Sequence, residues 1–146
     1  ASDVYKRQVV LDMREKELEE RQMEMARIVT ALNTQQEKLQ NIFQRQRENT
    51  LMQKTLAAAE NLDIFQLEEH RTFGIKLIGD AKNQERIIAN TKTILERKQL
   101  EVKEAYQKVE TLKKLKEKQE KEFYKEFLHA EMKEIDDITS ARFKIG

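Results

Sequence analysis

Residues 11–42 read LDMREKELEERQMEMARIVTALNTQQEKLQNI, and residues 81–109 read AKNQERIIANTKTILERKQLEVKEAYQKV. In the first stretch an apolar side chain recurs every seventh position: Leu11, Leu18, Met25, Leu32 and Leu39. The second stretch repeats the spacing with Ala81, Ile88, Leu95, Val102 and Val109. Sustained apolar heptads with charges between them are the signature of a coiled coil, because seven residues make close to two helical turns and return to the same face. The intermediate seam positions are mixed. Ile28, Ile42 and Leu56 are apolar, whereas Arg14, Arg21, Gln35 and Asn49 are not.

The two tracks mirror each other. Leu11 with Val109, Leu18 with Val102, Met25 with Leu95, Leu32 with Ile88 and Leu39 with Ala81 are pairs whose numbers all total 120. Ile42 with Ile78 and Leu56 with Ile64 follow the same rule. A constant total is what a chain folded back on itself requires, and it puts the bend at residue 60. Local chemistry places it there as well. Asp63 is a suitable N-cap, Gln66 stands at the capping-box position three residues on, and Leu62 and Leu67 occupy the places of a hydrophobic staple. The sequence therefore predicts an all-α fold, an antiparallel coiled-coil hairpin with a tip near residue 60. One domain covers 1–146, with a helix over about 3–58, a turn over about 59–62 and a helix over about 63–141.

Composition agrees. Of 146 residues 38% are charged, none is proline and three are glycine, so little is available to build further turns. The formal net charge of +1 argues against wholesale attraction to nucleic acid. There is no cysteine, which rules out disulfides and thiolate metal sites and fits a reducing compartment. No apolar run approaches the roughly 20 residues of a membrane span, and Lys6-Arg7 does not open onto a secretory apolar segment. Ala1 to Tyr5 read as a fragment edge, since the chain does not begin with Met.

At 1.5 Å per residue the first helix spans roughly 80 Å and the second nearly 120 Å. Roughly the last 25 residues thus overhang without an intrachain partner. The overhang carries Phe123, Tyr124, Phe127, Leu128, Ile135, Ile138 and Phe143, and apolar surface of that extent calls for another protein. Enzymatic chemistry is not expected. There is no phosphate-binding glycine loop, nucleophile elbow or zinc spacing. His70 and His129 lie nearly 90 Å apart along one helix and read as two solvated histidines. No cofactor, metal or small-molecule substrate is indicated.

Three features compete with bland readings. Lys113, Lys114, Lys116, Lys118, Lys121 and Lys125 form either a solvated face paired with Glu117, Glu120 and Glu122 or a basic collar for an acidic partner. Gly74 and Gly79 each cost roughly 1 kcal/mol relative to alanine inside a helix. They are tolerated defects, or they mark a patch that presents Phe73 and Leu77 to a partner. The acidic and apolar tail from Glu131 to Phe143 is either a fraying terminus or a binding segment.

At this tail a family comes into view. The run Leu115-Lys-Glu-Lys-Gln-Glu-Lys-Glu-Phe-Tyr124, with Glu131, Glu134-Ile-Asp-Asp-Ile138 and Arg142-Phe143, resembles the C-terminal signature of the FliJ family of flagellar type III export proteins. Val9-Val-Leu-Asp-Met-Arg-Glu15 is similar to the family's opening, while its usual basic and aromatic start is reduced here to Val4-Tyr-Lys-Arg-Gln8. The resemblance implies a non-enzymatic stalk that inserts into the hexameric flagellar export ATPase, couples it to the membrane export gate and handles export chaperones. It implies residence in the bacterial cytoplasm, against the inner membrane at the flagellar base. On it, the ATPase-facing residues are Lys113, Lys114, Lys116, Lys118, Phe123, Tyr124, Phe127, Glu134, Ile135, Asp136, Ile138, Arg142 and Phe143, beside Arg7 to Glu20. Phe73 and Leu77 would serve the gate or chaperones. The alternatives are a generic coiled-coil scaffold or adaptor and a nucleic-acid-binding rod using the lysine cluster. The rod lacks exposed aromatics at useful spacing among its lysines.

Overall fold

A computed structural model describes the backbone of residues 2–145 and the side chains of residues 3–142. The fold is all-α, with two long helices packed against each other as a hairpin. Helix α1 runs Ser2–Ala58 and α2 runs Ile64–Ile145. With no proline and glycine scarce, nothing inside either helix interrupts the backbone ladder. The break comes at residues 59–63, and Asp63 restarts the helix. Its Oδ1 accepts the backbone N–H groups of Phe65 (3.0 Å) and Gln66 (3.2 Å), two donors that the first turn leaves without intrahelical partners. The Asp63 carbonyl then accepts the first helical bond, from Leu67 N at 3.1 Å.

The chain divides into two compact units. One is residues 20–102, which contains the bend; the other joins residues up to 19 with those from 103 onward. Within the first unit the buried and half-buried positions of α2 step by alternating intervals of three and four: Leu67, His70, Gly74, Leu77, Ala81, Gln84, Ile88, Thr91, Leu95, Lys98 and Val102. On α1 the matching line is Met25, Ile28, Leu32, Gln35, Leu39, Ile42, Gln46, Asn49, Gln53 and Leu56. In the second unit Leu11, Ala105 and Val109 are buried, with Leu18 and Leu112 half-buried. All ten residues of the two apolar tracks thus lie on the packed face.

The polar layers show how the helices are aligned. Gln84 Nε2 donates to the Gln35 carbonyl at 2.9 Å. Asn49 Nδ2 donates to the His70 carbonyl at 2.8 Å, and its Oδ1 lies 3.0 Å from His70 Nδ1. These pairs total 119, whereas the apolar tracks total 120. The offset follows from the seam itself: three-then-four steps read along one helix become four-then-three along its antiparallel partner. It corrects two pairings. Ile78 and Ile64, opposed in sequence to Ile42 and Leu56, miss the seam by one position and are exposed. Leu77 takes the seam place next to Ile78, and Leu67 continues the line toward the bend.

Candidate interaction surfaces

The overhang predicted from length is present. Every residue from Glu120 to Arg142 is exposed, including Phe123 (71%), Tyr124, Phe127, Leu128, Met132, Ile135 and Ile138. Their spacing along α2 gathers these seven side chains onto one half of the helix surface. Glu134, Asp136 and Arg142 lie exposed on the same segment. The side chain of Phe143 falls outside the described residues. No other part of the second unit covers this stretch, so its apolar area is open to solvent.

Just before it stand the lysines. Lys113, Lys114, Lys116, Lys118, Lys121 and Lys125 are all exposed. Among the described residues none of them makes an ion pair with Glu117, Glu120 or Glu122, and Lys116 Nζ instead donates to Gln8 Oε1 of α1 at 2.9 Å. The segment therefore presents free ammonium groups beside its aromatic residues rather than a neutralised lattice.

Near the bend, Phe73 and Leu77 separate. Leu77 is 1% exposed and belongs to the packing. Phe73 lies outside the seam, at 40% exposure, and is the member of the pair that a partner could reach. The reason is the phase of the ladder: it steps by three from Gly74 to Leu77, which leaves 73 one position outside it. Gly74 lets the helices approach closely here. A Cβ on it would stand 2.9 Å from Asn49 Nδ2 and 3.3 Å from Gln53 Nε2. Gln53 Nε2 also donates to the His70 carbonyl at 3.1 Å, so two side-chain amides from α1 converge on one carbonyl of α2. Gly79 has open space around it.

One charged layer crosses the seam in the first unit. Lys98 Nζ lies 3.2 Å from both Glu24 Oε2 and Glu101 Oε2, and Arg21 reaches Glu24 at 3.4 Å. The hydrogen bond from Lys98 holds the Glu24 carboxyl below its ordinary value, with Arg21 adding to the effect. Glu24, then Glu101, pushes the Lys98 ammonium up. This is an ordinary structural ion-pair layer, without the enclosure that catalytic acid–base chemistry needs. Among the described residues no group of acidic or histidine side chains is placed to hold a metal ion, and no helix is long and apolar enough to cross a membrane.

The hairpin of two long helices agrees with the resemblance carried by Val9 to Glu15 and by the runs from Leu115 to Phe143. The family described as flagellar FliJ protein matches residues 6–144, nearly the whole chain. The chain belongs to the FliJ family. No curated protein and no solved structure matches it. As a FliJ-family chain it is a component of flagellar protein export, in a family of accessory proteins not known as enzymes. The match takes in residues of both units.

Sequence reasoning passed over one exposed residue. Phe65, 85% exposed, projects from the second position of α2. The signal was available: the residues directly after an N-cap are placed by the cap and not by the seam, and an aromatic there has no packing duty.

Proposed function

We propose that this FliJ-family chain is a non-enzymatic stalk that joins the flagellar export ATPase to the membrane export gate. The observation that carries the reading is the uncovered C-terminal segment of a chain matched to the family over residues 6–144. A helix that gathers seven exposed apolar side chains on one half of its surface, beside a row of exposed lysines, is suited to seat against an apolar partner surface with acidic groups at its edge. The ATPase hexamer receives Phe123, Tyr124, Phe127, Ile135, Ile138 and Arg142, with Lys113, Lys114, Lys116 and Lys118 forming the charged collar, and Glu134 and Asp136 meeting basic groups. The gate or an export chaperone meets the face around Phe73. The protein works in the bacterial cytoplasm at the flagellar base.

A helical stalk transmits position rather than chemistry. The test is titration of the chain into the cognate export ATPase while ATP hydrolysis and ring assembly are followed. Saturable stimulation near one chain per hexamer, lost on deleting 123–146, is the expected result. An ATPase indifferent to the full chain would remove this reading and leave a coiled-coil scaffold in its place.

A further inference from the structure

The bend end of the molecule differs in chemistry from the rest of it. Between Thr55 and His70 the chain carries Glu60, Asp63, Glu68 and Glu69, and no lysine or arginine. The same segment exposes Leu62, Ile64 and Phe65, none of which the seam uses. On the outer side of α2 an open groove of about 460 Å³ runs between Phe65 and Phe73, over Thr72, with Glu68, Glu69 and Lys76 along it. Arg71 approaches Glu68 only to 3.9 Å, with both side chains well exposed, a contact that solvent and salt leave weak.

From this we infer that the groove between Phe65 and Phe73 is a docking site for a basic amphipathic helix, which seats an apolar side chain between the two rings and sets lysines or arginines against Glu68 and Glu69. The volume matches one or two large side chains rather than a folded surface. The two aromatics are eight residues apart on one helix, close to two turns and a little over 10 Å, which leaves room for a single knob of a crossing helix. The carboxylates decide the sign of the partner. They repel phosphate, so lipid headgroups and nucleic acid are poor occupants, and they attract cationic side chains over about a Debye length. Along the groove itself two carboxylates, Glu68 and Glu69, outnumber the single Lys76.

The groove shares Phe73 with the gate face proposed above, but it does not depend on the ATPase reading, and its test needs neither gate nor ATPase. The probe is a fluorescein-labelled helical peptide of leucine and lysine only, with a leucine–glutamate peptide as control, and anisotropy is read on titration with the full-length chain. Expected is saturable binding at one peptide per chain, falling steeply with salt and absent for the acidic control. F65A and the double substitution E68K/E69K should each weaken binding by roughly tenfold or more, while K76A should not weaken it. Phe65 is exposed and outside the seam, so F65A keeps its helical spectrum and the comparison stays interpretable. Equal binding by wild type, F65A and E68K/E69K would overturn the site. So would a Phe65-dependent rise in sedimentation coefficient with concentration, which would make a second copy the occupant.

Discussion

Gly74 and Gly79 carry the same intrinsic penalty and should respond oppositely to a methyl group. At Gly79 nothing lies within 4 Å of the added carbon, so G79A gains the helix propensity of alanine, roughly 1 kcal/mol. At Gly74 the carbon would press the Asn49 amide from 2.9 Å. That amide already holds the His70 carbonyl at 2.8 Å, and moving it weakens a part-buried hydrogen bond by a comparable roughly 1 kcal/mol. Thermal melts of the two variants should show G79A raised by roughly 4 °C and G74A no higher than wild type. A G74A gain equal to that of G79A would mean that the amides around His70 do not set the approach of the helices. Asn49 itself, buried at 6%, illustrates the use of a polar residue in a seam: it contributes little net stability but is satisfied only opposite His70.

Between elements, the pairing of Asn49 with His70 ties the alignment of α1 and α2 in the first unit to particular side chains, and a slip of either helix breaks it. Gln84 meets only the Gln35 main-chain carbonyl, an acceptor that any residue offers, so it adds little to the alignment. The layer of Lys98, Glu24 and Glu101 adds a pH dependence whose sign follows from the shifts. Glu24 is held below its ordinary 4.5, so its contribution is present above pH 4.5 and is lost as pH falls through the lower folded value. Lys98 is raised above 10.5, so its contribution is complete below pH 10.5 and is lost as pH rises through the higher folded value. Urea midpoints of wild type and E24Q should therefore differ at pH 7 and converge as pH falls through the lowered folded value of Glu24. A gap that stays constant down to pH 3 would assign it to packing rather than charge. All three side chains are partly exposed, so the effect is small and shrinks with salt.

At the scale of the whole molecule, the contrast is between packed helix and bare helix. An unsupported stretch of about 20 residues is near the length at which isolated helices become marginal in water. Limited trypsin treatment should accordingly cut first at Lys121 and Lys125, in the exposed segment, before any of the thirteen lysines and arginines of residues 20–102. Addition of the export ATPase should protect those two sites if the segment is its binding face. Early cleavage within 20–102 would place the weak point in the seam instead. The seam is not strong: Leu77 and Val109 are the only large side chains buried below 2% among the described residues. The isolated chain should melt below about 70 °C, within the range of ordinary mesophile domains.

What the sequence determined by itself was everything that depends on period and punctuation. Seven-residue spacing is a local property of a helix, so Leu11 to Leu39 and Ala81 to Val109 announce their own face. A chain without proline has one natural place to turn, and Asp63 marks where the second helix restarts. The family resemblance lay in other runs, Val9 to Glu15 and Leu115 to Phe143, which are equally local. What only the tertiary structure decided was every choice of one position among neighbours. Leu77 and not Ile78 enters the seam, Leu67 and not Ile64 continues it, and Phe73 stays outside. Each is settled by the three-four alternation meeting its mirror image on the partner helix, a relation that exists only once two helices touch. The meeting of Asn49 and Gln53 on one His70 carbonyl is of the same kind. It depends on distance between side chains of two helices, and distance across a fold is not written in the sequence of either one alone.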